Sequence, residues 1–223
     1  MRLPFTIDQF LDVFRRYNEA VWPVQWGLAA VGVIAVVFAL RDEPRTSRLV
    51  SVLLAVLWFW MAIAYHLAFF ADLSRVGIVF GLAFGLQGAL LSWLAVRKQV
   101  TLYRPHSVAA MSIGTLLIVY ALVVYPLLGT LWGHRYPASP TFGVPCPTTI
   151  FTLGLIVWAG SSIPGRLVIV PLAWAVVGTS AAANLGMTED FGLLAAAILT
   201  AGVLGGARHH GAFRRRPAPA AAR

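Results

Sequence analysis

The chain is short of almost everything that lets a protein face water. Only 11% of its 223 residues are charged, against about 25% in an ordinary soluble domain. Hydrophobic residues make up 59%, and mean hydropathy is +0.79. Cysteine occurs once, as Cys146, so no intrachain disulfide can form. Lysine also occurs once, as Lys98 in a loop, which excludes the helix-borne Schiff base of a retinal protein. No Asp, Glu, Lys or Arg lies inside any of the long apolar runs. Proton relays, ion pumps and voltage sensors usually place ionisable groups there, so proton-coupled transport is disfavoured.

What remains is seven charge-free runs: Val21–Leu40, Leu49–Ala71, Val76–Val96, Ser107–Gly133, Pro147–Gly165, Leu167–Thr188 and Phe191–Ala207. A helix crosses the hydrocarbon core with about 20 apolar residues, and backbone in lipid must satisfy its own hydrogen bonds. The expected fold is all-α: a polytopic membrane protein of six to seven transmembrane helices, with an amphipathic interfacial helix at the N-terminus. Residues 1–20 form that helix, residues 21–207 a single transmembrane domain, and residues 208–223 a disordered, basic cytoplasmic tail. Ala and Gly dominate the seventh run, which makes it the weakest span. The N-terminus shows no apolar core followed by a small-residue cleavage site, so the first run is expected to be retained.

The net charge of +9 does not point to nucleic acid, because the charges sit in short loops and the tail. The expected partner is the bilayer. Twelve basic residues fall on one side of the runs: Arg41, Arg45 and Arg48, the group from Arg97 to Arg104, Arg166, and the tail. Five fall on the other: Arg2, Arg15, Arg16, Arg75 and Arg135. Basic residues collect on the cytoplasmic side. The N-terminus is therefore expected outside and the C-terminus inside, in a bacterial inner membrane.

Residues Thr6–Glu19 read as an amphipathic helix. Thr6 and Gln9 have capping-box spacing, and Ile7, Phe10, Leu11, Phe14 and Tyr17 form the apolar stripe. The helix serves either as an interfacial anchor or as a lid over the loop discussed next. Gly81 with Gly85, and Gly178, Ala182 and Gly186, give small-residue faces for close helix packing. Such faces also offer a route to oligomers.

The stretch Gly133–Thr149 is the long connection, rich in proline. Pro147 suits a first helical position, which would put Cys146 at or near a helix N-cap, where unpaired N–H groups favour thiolate. Cys146 with His66 and His134 would make a soft-metal set suited to copper or zinc. Arg75, Arg135 and Tyr136, with the hydroxyls of Thr148 and Thr149, would suit an anion or other small ligand at the start of the fifth run. All these residues lie toward the expected outer face.

Several segments resemble one family. They are PFTIDQF near the N-terminus, AVWP at Ala20–Pro23, YHLAFF at Tyr65–Phe70, VFGLAFGLQ at Val79–Gln87, and YPASPTFGVPCPTTIFTLG at Tyr136–Gly154. The chain is similar to bacterial integral membrane proteins grouped only as a domain of unknown function, and PTFGVPCPTT is the most specific segment. The resemblance implies a bacterial inner membrane and no particular reaction. The function expected first is transport or binding of a small solute, anion or soft metal ion at the outer face. Two alternatives stand beside it. One is a membrane enzyme or redox protein using Cys146 and the histidines; the other is an assembly subunit of a membrane complex.

Overall fold

A computed structural model describes residues 4–41, 43–97 and 101–214. Among these residues there is no strand. Helix α1 (Ile7–Val21) begins with the expected capping box: Gln9 N donates to Thr6 Oγ1 at 3.3 Å, and Thr6 N donates to Gln9 Oε1 at 2.9 Å. Helix α2 (Val24–Ala39) leaves α1 at 88°. Helix α3 runs Pro44–Leu73, and its segment Met61–Phe70 is wound as a π-helix. Helices α4 (Val76–Val96) and α5 (Val108–Leu131) follow, with a second π segment at Tyr120–Val124 of α5. Helices α6 (Pro145–Ala159), α7 (Arg166–Leu185) and α8 (Phe191–Arg214) complete the fold, and a 3₁₀ turn at Thr188–Asp190 leads into α8.

The all-α class is as expected. Five segments are long and apolar enough to cross a membrane: α3, α4, α5, α7 and Thr188–Gly206. The bent pair α1–α2 makes a sixth if taken as one span. Two of the seven expected spans take a different form. The run Val21–Leu40 is not a straight span: its helix has 16 residues, about 24 Å at 1.5 Å per residue, short of a hydrocarbon core of about 30 Å. The run Pro147–Gly165 becomes α6, with 15 residues, all of them buried. A helix apolar all round is enclosed, in a protein core or at the centre of a membrane bundle, and α6 lies at the centre of this bundle.

Helix α6 is the hub, packed against α5, α7 and α8 and touching α2. Its contact with α5 is close to backbone on backbone. A Cβ on Gly114 would fall 2.2 Å from Trp158 Cδ1, and one on Gly154 would fall 2.9 Å from the Gly114 carbonyl oxygen. Trp58 Nε1 on α3 donates to Thr152 Oγ1 on α6 at 3.1 Å. Gln87 Nε2 on α4 donates to the Leu167 carbonyl on α7 at 2.9 Å.

Small residues of α4 are used inside the chain: Gly81 faces Leu67, and Gly88 faces Phe59. On α7, Gly178 packs against Leu193, whereas Gly186 is the C-cap at φ +73°, a left-handed terminator rather than a packing position. Helix α8 continues to Arg214, so the expected tail boundary at 208 falls within a helix. Residues 215–223 and Lys98 lie outside the described residues.

Candidate functional site

The long loop is held by α1. Asn18 is fully buried, and its Nδ2 donates to the carbonyls of Pro137 and Ser139 at 2.7 and 2.8 Å. Its Oδ1 accepts from Thr141 Oγ1 at 2.9 Å, and Gln25 Nε2 donates to its carbonyl at 2.8 Å. The PTFGVPCPTT segment then turns into α6. Gly143 takes φ +102°, where a Cβ would lie 2.3 Å from Leu28 Cδ1. Gly143 N donates to Thr148 Oγ1 at 3.0 Å, and the Phe142 ring meets Phe151 edge-on at 5.3 Å. The segment is a folding device that joins α1, α2 and α6.

Beside this loop lies a cavity of about 480 Å³. Phe10 and Phe14 of α1 form one wall; Tyr65, His66 and Phe70 of the π segment of α3 form another. A π-helix widens the turn and is often found at functional sites. Trp174 of α7 stands against both Phe80 and His66, at 5.2 and 5.3 Å between ring centroids. Its exposed lining residues are Pro4 ahead of α1, Val76 of α4, and Val176, Val177, Ser180 and Asn184 of α7. Such a volume, with apolar walls and few polar groups, is typical of small-molecule sites.

Buried polar groups line part of the cavity, and the more exposed Ser74, Ser180 and Asn184 line it too. Cys146 and Asp190 both line it. Tyr125 Oη donates to Asp190 Oδ1. Behind Asp190, Glu189 is fully buried. Glu189 Oε1 pairs with His134 Nδ1 at 2.7 Å, and its carbonyl accepts from Tyr120 Oη at 2.7 Å. Both acids sit at the start of α8, where unpaired N–H groups favour negative charge. His66 is fully buried, and neither ring nitrogen has a hydrogen-bond partner among the described residues.

The expected site residues divide between these surroundings. Helix α6 starts at Pro145 with Val144 as its cap, so Cys146 lies inside the first turn and Pro147 one residue beyond it. Cys146 thus stands near the helix end, as expected, but it is buried. Cys146 and His66 share the cavity, but His134 is taken up by Glu189. The Cys146, His66 and His134 set is not assembled: among the described residues no group of three or more His, Cys, Asp or Glu is arranged to hold a metal ion.

The expected anion group is also divided. Thr148 and Thr149 are fully buried in α6, whereas Arg75, Arg135 and Tyr136 are exposed. The five therefore do not line one surface. Tyr136 instead rests on the α1–α2 corner, its ring 6.0 Å from that of Trp22 and its Oη donating to the Asn18 carbonyl at 3.4 Å. Asp72 pairs with Arg16 at 3.7 Å.

Sequence reasoning did not single out Glu189 and Asp190, which are both buried. The available signal was an acidic pair directly before an apolar run, with no basic residue nearby to balance it. Neither the curated proteins nor the solved structures contain a match to this chain. The model of the family of unknown function DUF6064 matches residues 7–213, and the chain belongs to that family.

Proposed function

We propose that this protein binds or transports a small, largely apolar molecule in the cavity beneath α1. In this reading it is a multi-pass protein of the bacterial inner membrane. The N-terminus, the loop before α6 and the cavity lie toward the outer face, and the C-terminus lies in the cytoplasm. The twelve-to-five bias of basic residues supports that orientation. The observation that carries the binding reading is the cavity: about 480 Å³, with aromatic and aliphatic walls and the buried polar side chains of His66, Cys146 and Asp190 among its lining. Helix α1 then acts as a roof, consistent with the lid reading of that segment.

Cys146 is the only thiol, so the protein carries its own reporter. The test is modification of Cys146 by methyl methanethiosulfonate, a small neutral reagent, in phosphatidylcholine nanodiscs, read by intact mass. The neutral probe 2-phenylethanol is expected to slow modification in a saturable way. A rate independent of this probe and of larger neutral aromatic alcohols would remove the reading.

A further inference from the structure

We infer that the cavity selects a small lipophilic amine, bound as its ammonium, with Asp190 as the counter-ion. The inference rests on the reading that the cavity binds a small apolar molecule, and it adds the charge and head group of that molecule.

Charge is the first argument. Among the described residues lining the cavity, Asp190 is the sole Asp, Glu, Lys or Arg. The charged or chargeable groups that act on it are Glu189 from its own turn, His134 from the loop and Cys146 and Tyr125 from α6 and α5. No Lys or Arg is among them. His134 is already on Glu189, so two adjacent buried acids share one imidazole. A buried carboxylate is costly without a cationic partner. Tyr125 gives Asp190 one hydrogen bond, but a carboxylate has about four acceptor positions. An ammonium can use what is left and supplies the missing positive charge.

His66 is the second argument. It lines the cavity, is fully buried, and has no hydrogen-bond partner at either nitrogen among the described residues. Buried polar side chains rarely stay unpaired. An imidazole nitrogen accepts readily from an ammonium N–H. The walls add a third argument, because they hold the aromatic rings of Phe10, Phe14, Phe80 and Trp174, and aromatic rings attract cations. A carboxylate ligand would meet Asp190 with no basic residue to offset it. An alcohol would gain a hydrogen bond and no ion pair.

The test compares three near-isosteric probes by their protection of Cys146 from methyl methanethiosulfonate in phosphatidylcholine nanodiscs. They are 2-phenylethylamine, 2-phenylethanol and phenylacetate. The amine is expected to give half-protection at a concentration about tenfold below the alcohol, and phenylacetate is expected not to protect. In Asp190→Asn the amine and alcohol should become equal. If that variant does not fold, the wild-type series decides alone. Equal protection by amine and alcohol in the wild type, or strongest protection by phenylacetate, overturns the amine inference and leaves the cavity reading standing. Protection by none of the three overturns both.

Discussion

Asn18 Nδ2 donates to the Pro137 carbonyl oxygen across 2.7 Å, joining α1 to a loop 119 residues further along the chain. The same amide also holds Ser139, and its oxygen holds Thr141. One buried side chain thus fixes the roof of the cavity to the segment that launches α6. Asn18→Ala would remove four hydrogen bonds and strand two loop carbonyls. Each buried group left unpaired costs about 1–3 kcal/mol. The variant is expected to melt at lower temperature in detergent and to expose Cys146 to faster modification. An unchanged melting temperature together with an unchanged modification rate would show that α1 is held by its apolar face alone.

His134 is the partner of Glu189 Oε1, and Glu189 Oε2 has none among the described residues. His134→Ala would leave a fully buried carboxyl group with no side-chain partner. Breaking one side of a buried pair costs about 3–5 kcal/mol. Glu189→Gln removes the charge and keeps the shape, so it should cost less. Thermal unfolding of the two variants ranks them, and the opposite order would show that Glu189 is not held as a charged group.

Two glycines of the loop separate strain from space. Gly133 sits at φ +93° with nothing within 4 Å of where a methyl would stand, whereas Gly143 at φ +102° faces Leu28 Cδ1 at 2.3 Å. Gly133→Ala should carry only the backbone cost, about 1–2 kcal/mol. Gly143→Ala should lower stability further, because the methyl also displaces Leu28 of α2. Equal melting temperatures for the two would mean that α2 yields without cost.

Helix glycines give a matching contrast. Gly114→Ala drives a methyl into Trp158 at 2.2 Å, while Gly202 has nothing within 4 Å. The first is expected to separate α5 from α6 and to be strongly destabilising. Gly202→Ala is expected to be neutral or to stabilise by about 0.5–1 kcal/mol, since Ala restricts the unfolded helix more than Gly. Loss of folded protein on Gly202→Ala would reveal a contact made by that face outside the single chain.

Orientation can be read with introduced thiols. Cys146 is buried, so it is a poor topology probe, and a Cys146→Ser background is needed. Arg135 and Arg41 are exposed at opposite ends. Arg135→Cys should react with a membrane-impermeant maleimide on intact spheroplasts, and Arg41→Cys only after permeabilisation. The reverse pattern would invert the proposed topology.

Much of this architecture was readable in the residues. Charge-free runs and the Thr6–Gln9 box located most helices, because length, apolarity and capping act locally. The enclosure of α6 was not readable. Its composition suits lipid and interior alike, and only the close approach of Gly114 and Gly154, distant in the chain, decides between them. The site was half visible. Cys146 and His66 were singled out as polar groups in apolar sequence, and both line the cavity. Asp190 and Glu189 were passed over because their partners Tyr125 and His134 lie 65 and 55 residues away. The π winding of Met61–Phe70 had no local mark, since no proline interrupts that segment.

The enclosure of α6 has a consequence for the order in which the molecule can be made. Helices α7 and α8, which cover much of it, are synthesised after it. Until they arrive, Thr148, Thr149 and Thr152 of α6, all fully buried at the end, have no finished surroundings. A nascent chain that stops at Ala159 would present an incomplete centre to whatever medium it has entered. The middle of this protein therefore acquires its final neighbours only when the last helix has been translated.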